Sequence, residues 1–155
     1  PQEMLDKMLA AKNFQSAMQM LRQLEFSIFD FTMHESFDPK AANNDQHIQQ
    51  TLDNVRKKYA VVQVAQFNRF QHGFSHIFGG GYSAGYYSYK WAEVLSADAF
   101  GLFEEKGIFD PATGQSFLNN ILEKGGSQEP SELFKAFRGR APEIDALLRH
   151  SGIDV

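Results

Sequence analysis

The sequence predicts an all-α chain, and three observations carry that prediction. Apolar residues recur at spacings of three and four through most of the 155 residues. Proline and glycine stand where helices would start and stop, as in "FDPATGQSFLNNILEKGG" and "EPSELFKAFRGR". The one stretch that reads locally as a strand, "VVQVAQFNRF", has no second strand to pair with, so it is assigned as irregular or short helix.

Taken in order, a short helix precedes a long amphipathic one in "EMLDKMLAAKNFQSAMQMLRQLEFSIFDFTMH". Its expected apolar stripe is Leu21, Leu24, Ile28 and Phe31, with Met18 and Phe14 continuing upstream. "ESFDPKAANND" is a turn, because Pro39 disfavours helix at Asp38 and small polar residues follow. Asp45 is the expected cap of a third helix striped by Ile48, Leu52 and Val55. Arg56, Lys57 and Lys58 sit in its last turns and complement the negative end of its dipole. Beyond a glycine run, Ser83 is the expected N-cap of a helix that stops at Gly107. Pro111 opens the next helix, which ends with Lys124 before Gly125 and Gly126. Pro130 and Pro142 then open two short helices that Gly139 and Gly152 close. No repeat, low-complexity tract or long linker divides the chain, so residues 1–155 are expected to be a single helical region.

Composition narrows the function classes. The length suits one domain with a sizeable core. Fifteen Phe and 14% aromatic residues are rich for such a chain, which predicts rings that a partner should cover. A net charge of −4 and a pI near 5.7 argue against nucleic acid and anionic membrane as partners. The absence of cysteine excludes disulfides and thiolate metal ligands and suits a reducing cytoplasm. No apolar run is long enough to span a membrane, and the N-terminus lacks a signal-peptide layout. The chain begins at Pro1 without an initiator Met, so it is expected to be processed or to be a piece of a larger protein.

The chemistry concentrates in "HGFSHIFGGGYSAGYYSY", residues 72–89, with two histidines, five glycines and four tyrosines. His72 and His76 have the spacing of a helical zinc pair, but Gly73 stands where H-E-x-x-H needs its glutamate, and "HESFD" at His34 lacks the second histidine. No metal site is therefore expected within the chain. His34 is assigned as a helix-end residue, His47 and His150 as exposed polar positions, and His72 as structural. On a helix, Tyr82, Tyr86 and Tyr89 share one face, and Tyr87, Trp91, Val94 and Leu95 lie on the other. Two readings stay open at this point: the tyrosines are core residues with satisfied hydroxyls, or they line a cleft while the Trp91 side anchors the helix. Gly79, Gly80 and Gly81 would let a preceding loop hinge over a ligand, and the lysine of a phosphate-binding loop is missing.

"FSHIFGGGYSAGYYSYKWAEVLSADAF", followed by "GIFDPATGQSF", "EKGGSQEPSELFKAFRGR" and "LLRHSGI", closely resembles the C-terminal end of the oligopeptidase A, thimet oligopeptidase and neurolysin family of zinc metallopeptidases. The likeness is greatest to the bacterial oligopeptidase A branch and densest from Phe74 to Phe100, and "EMLDKMLAAKNFQSAMQMLRQLEFSIFDF" extends it over nearly the whole chain. The family's zinc motif, H-E-x-x-H with a Glu on a following helix, lies upstream of the matched segment and is not in this chain. The resemblance therefore implies a C-terminal region of a larger cytoplasmic enzyme, inactive alone, that forms part of the wall of a channel admitting short peptides. Its partners would be oligopeptide substrates and the missing N-terminal part of the same protein, and zinc would be the cofactor of the intact enzyme.

The resemblance also implies roles. Attack by zinc-bound water leaves negative charge on the scissile carbonyl oxygen, which needs hydrogen-bond donors. The family's His of the F-x-H element, the Tyr just after the glycine-rich loop and a Tyr seven residues further on match His76, Tyr82 and Tyr89 as the catalytic candidates. Tyr86 is similar to a tyrosine lining the substrate path, and Gly79, Gly80 and Gly81 to the mobile loop over the peptide. Read from the residues alone, the chain could equally be a free-standing helical module that binds a peptide or partner helix through its tyrosine face, or a purely structural domain.

Overall fold

The computed structural model describes residues 1–153, apart from the side chain of Asp45. Among the described residues no strand occurs, and the fold is all-α. The helices are α1 (Gln2–Lys12), α2 (Ser16–Ser36), α3 (Asn44–Tyr59), α4 (Ser75–Phe78), α5 (Ser88–Lys106), α6 (Pro111–Phe117), α7 (Pro130–Arg138) and α8 (Asp145–His150). A 3₁₀ turn covers Phe70–Gly73, and α6 runs on into a π-helical stretch at Leu118–Leu122. Residues 61–69 are irregular, as their unpaired strand pattern predicts. The chain divides into two compact units, Pro1–Lys90 and the residues from Trp91 onward, with the boundary inside α5.

In the first unit the core lies between α2 and α3. Phe29 and Met33 meet Leu52 and Val55, and Phe74, Ile77 and Tyr86 close the cluster. Burying each of the large apolar side chains contributes on the order of 1.5–3 kcal/mol relative to leaving it exposed. The stripe of α3 is the expected one, but that of α2 is rotated. Phe14 and Phe31 are exposed, Leu21, Leu24 and Ile28 are half-buried, and the buried positions are Glu25, Ser27, Phe29, Asp30 and Met33. Hydrophobic periodicity misplaces this face because two of its five buried residues are carboxylates. Each has partners: Glu25 accepts from Arg22 at 2.8 Å and from Arg56 Nε at 3.1 Å. Arg56 therefore spends its charge on a buried carboxylate rather than on the helix dipole, and its Nη2 donates to Asn68 Oδ1, which also accepts the Phe70 amide. The Asp45 side chain expected as a cap lies outside the described residues, and α3 opens one residue earlier, at Asn44. No residue of α1 is buried.

In the second unit Ala99, Phe134 and Phe137 form the core, flanked by Leu95, Leu102, Phe103, Phe117 and Ile121. Local signals set most of its helix ends. The Asp110 carboxylate accepts the Thr113 amide at 2.8 Å, with Pro111 in the first turn of α6. Pro130 opens α7, and Gly139, at φ 84°, closes it. At the end of α8, the amides of Gly152 and Ile153 bond to the carbonyls of Arg149 and Leu148, the Schellman arrangement. Pro142 does not open α8, which begins only at Asp145, because the intervening Glu143 amide is donated to Asp98 instead. His150 is half-buried rather than exposed, with Nε2 2.9 Å from Glu104, and His47 is half-buried beside the Ser36 hydroxyl.

Candidate functional site

The site is built on a short run of backbone that folds tightly on itself. Ile77, fully buried, anchors α4 and leaves His76 on the open side. The amides of Gly79 and Gly80 both donate to the Ser75 carbonyl at 2.8 Å, and the Tyr82 amide donates to the His76 carbonyl at 3.1 Å. Gly80 is forced by this approach, since a Cβ there would lie 2.8 Å from the His76 Cα. Gly81 follows at φ 83°, a conformation that L side chains rarely adopt.

The helix expected from Ser83 begins instead at Ser88. Ser83 does not cap it, because its hydroxyl donates back to the Ile77 carbonyl at 2.6 Å. Residues 83–87 form turns, with Ala84 left-handed at φ 55° and amide bonds from Gly85 to the Tyr82 carbonyl and from Ser88 to the Gly85 carbonyl. A non-glycine residue in that conformation costs on the order of 1–2 kcal/mol. Asp30, fully buried on α2, offsets this cost. Its Oδ1 accepts the Ala84 amide and its Oδ2 the Tyr86 amide, both at 2.9 Å. His34 Nδ1 lies 2.8 Å from Asp30 Oδ1 and 2.9 Å from the Asp30 carbonyl oxygen. Both neighbours are acceptors, so Nδ1 carries the proton. Hydrogen bonds to a charged group contribute about 1.5–3 kcal/mol each.

This turn gathers the rings that the helical wheel places on one face, although only Tyr89 is helical. The centroids of Tyr82 and Tyr89 are 4.9 Å apart, and those of Tyr86 and Tyr89 5.1 Å apart. His76 lies 6.2 Å from Tyr82 and 6.0 Å from Tyr86. Tyr86 is buried, packs edge-on to Phe74 and donates its hydroxyl to Gln23 Oε1 at 3.1 Å. Burial pushes its phenol upward. Tyr89 remains 40% exposed, and its phenol is raised first by a hydrogen bond with Tyr82. A hydrogen bond that raises an acid's pKa is one its neutral form donates, so Tyr89 donates to Tyr82 and the Tyr82 hydroxyl proton stays free. The cluster thus presents neutral phenol donors beside an exposed imidazole.

The opposite side does not anchor as expected. Tyr87 and Trp91 are 51% and 49% exposed, and Val94 is the buried residue there. A cavity of about 700 Å³ in the first unit is lined by Arg56, Lys57, Asn68 and Arg69, among others, and contains none of the candidate residues. His72 is exposed. Among the described residues no group of three or more His, Asp or Glu could hold a metal ion, so the implied zinc does not fit any ligand set here. No described helix is long and apolar enough to cross a membrane. Asp30 and Gln23 are missed by sequence reasoning. The available signal is an aspartate between two phenylalanines in "IFDFT", a charge where the core should be.

The family model described as peptidase family M3 matches residues 1–153. The chain belongs to peptidase family M3. It is 60% identical over 153 residues to oligopeptidase A of Salmonella typhimurium, covering 99% of this chain and 22% of that protein. The oligopeptidase A of Escherichia coli matches at the same identity and coverage. The probable cytosolic oligopeptidase A of Arabidopsis thaliana is 45% identical over 157 residues, again covering 99% of this chain and 22% of the relative. The chain thus spans less than a quarter of the length of these relatives.

Proposed function

We propose that this chain is the C-terminal, substrate-facing region of a peptide-hydrolysing M3 enzyme acting on short oligopeptides, with residues 1–155 working as one helical wall of its substrate channel. The observation that carries the reading is the Tyr82, Tyr89 and His76 cluster, whose phenols are neutral and whose His76 and Tyr89 edge is open. When a peptide carbonyl is attacked, charge collects on its oxygen. Tyr82 donates its free proton to that oxygen, and Tyr89 supplies a second donor when the oxyanion displaces Tyr82 as its acceptor. The His76 ring binds the oxyanion or the neighbouring peptide carbonyl. Tyr86 forms the floor of the substrate path, and the loop of Gly79, Gly80 and Gly81 moves Tyr82 over different peptides. The nucleophile and the zinc belong to residues outside this chain, so the 155 residues alone hydrolyse no peptide. The cytoplasm is the proposed compartment, the one named for the cytosolic Arabidopsis relative.

The test is a quenched-fluorescence oligopeptide assay on the intact protein. Tyr82→Phe and Tyr89→Phe should each lower kcat by roughly 100- to 1000-fold with little change in KM, the effect of losing one oxyanion donor. His76→Ala should lower kcat/KM, and Tyr87→Phe should be nearly silent. If both tyrosine variants keep kcat within about twofold of the parent, these hydroxyls are not oxyanion donors.

A further inference from the structure

We infer that Asp30 is the positioning residue of this site, holding the turn at residues 83–87 so that Tyr82 and Tyr89 meet the substrate in one geometry. The inference rests on the function proposed for those tyrosines. Asp30 touches none of the reacting groups. It is fully buried on α2, and its two carboxylate oxygens are divided between the amides of Ala84 and Tyr86, 54 and 56 residues away in sequence. Those amides flank Gly85 in a segment with no regular structure of its own, one of whose residues is left-handed.

Nothing local would hold such a turn. The Ser83 hydroxyl, the usual choice for a cap, is turned toward the Ile77 carbonyl. Asp30 therefore stands in for the N-cap from another element, and it does so with both oxygens, which fixes the orientation of the turn as well as its distance. The turn in turn fixes the side chains on either side of it: Tyr82 precedes it, Tyr86 belongs to it and Tyr89 lies in the first turn of α5 behind it. His34 donates to Asp30 from the solvent side and holds the carboxylate plane. The buried charge and the ring cluster are thus one assembly, and a shift of the carboxylate displaces the Tyr82 and Tyr89 hydroxyls together.

The deciding experiment compares Asp30→Asn with Asp98→Asn in the intact protein, by thermal unfolding and by steady-state kinetics on the same oligopeptide. An asparagine presents an amide nitrogen where one of the two backbone N–H groups needs an acceptor, so the turn must move. Asp30→Asn is expected to lower kcat by about 10- to 100-fold with KM within about threefold, the scale of misplacing a catalytic group by about an ångström. Asp98→Asn, which removes an equally buried carboxylate from the second unit, is expected to lower Tm and leave the kcat of the folded enzyme unchanged. In a Tyr82→Phe, Tyr89→Phe background, Asp30→Asn should cost no more than about twofold further, because residues acting as one unit are not additive. A purely structural Asp30 would instead multiply with the tyrosine variants, and that result overturns the inference. Should Asp30→Asn not fold, replacing the Tyr86 amide by an ester removes one of the two bonds with every side chain kept, and the same fall in kcat is expected. Unchanged kcat in either variant overturns the positioning role while Tyr82→Phe remains impaired. Unchanged kcat in Tyr82→Phe and Tyr89→Phe takes down the functional reading first, and the positioning role with it.

Discussion

Asp30 in the first unit and Asp98 in the second are both buried in the middle of a long helix, and each accepts backbone amide hydrogens from a distant, irregular segment. Asp30 takes those of Ala84 and Tyr86, and Asp98 takes that of Glu143, 45 residues further on. Their remaining partners differ in kind. Asp98 is clamped by two cations: Arg138 Nε donates to its Oδ1 at 3.1 Å, and Arg140 reaches both oxygens at 2.7 Å. Arg138 in addition pairs with Glu105. Asp30 has two peptide dipoles and one imidazole. Burial alone would raise the Asp98 carboxyl, but hydrogen bonds from Arg140, the Glu143 amide and Arg138 together outweigh it and hold it below the usual aspartate range. The difference teaches what a buried carboxylate can be used for. Charge matched by charge ties helices together, whereas charge matched by backbone amides shapes a turn.

The largest effect on stability should come from breaking the charge-matched clamp. Asp98→Ala leaves Arg138, 9% exposed, and Arg140 without their shared partner, and removing one member of a buried ion pair typically costs about 3–5 kcal/mol. Urea unfolding of the protein checks this, and a loss below about 1 kcal/mol would show that the arginines find new partners. The pH dependence follows from the same contacts. Because the folded Asp98 carboxyl titrates below its unfolded value, its contribution is present at neutral pH and is lost as the pH falls through and below the usual aspartate range. Asp98→Asn should flatten that acid limb.

The tyrosine side should respond to steric rather than ionic change. Gly80→Ala places a Cβ against the backbone of His76, where neither the Cα nor the carbonyl can give way as a flexible side chain would. Overpacking of this kind costs about 1–3 kcal/mol. It should also displace His76, so kcat/KM should fall along with Tm. Tyr86→Phe is smaller: it removes the hydrogen bond to Gln23, which is only half-buried and can rehydrate, for a loss of about 1 kcal/mol by thermal unfolding.

The smallest effect should be at the surface of the second unit. Hydrogen bonds from Arg149 and then His150 hold the Glu104 carboxyl at about 2 against the opposing effect of burial. Its contribution is complete above the unfolded value of 4.5 and is lost as the pH drops from there toward 2. Arg149 is 58% exposed, so solvent screens the pair, and Glu104→Gln should cost about 1 kcal/mol or less, less still at high salt. A Glu104→Gln loss as large as that of Asp98→Ala would erase the distinction between a screened pair and a buried clamp.

The sequence by itself determined the features that depend on neighbours in the chain. The all-α class, the stripe of α3, the proline starts of α6 and α7 and the glycine closures at Gly139 and Gly152 follow from dihedral preferences and capping, which act within a few residues. The family resemblance was legible for the same reason, since it rests on contiguous motifs around the glycine loop. The gathering of His76, Tyr82, Tyr86 and Tyr89 was legible only in outcome, because a wheel drawn from Ser83 joins the same rings by a helix that does not begin until Ser88. Only the tertiary structure decided how they are joined. Local capping rules assign the N-cap to Ser83, but Asp30 reaches Ala84 and Tyr86 from α2 and makes a left-handed alanine and a non-helical turn the stable arrangement there. Nor could periodicity find the buried face of α2, which carries Glu25 and Asp30. A carboxylate is polar by every sequence measure and becomes a core residue only when the fold brings enough donors to it, and those donors come from other elements of the chain.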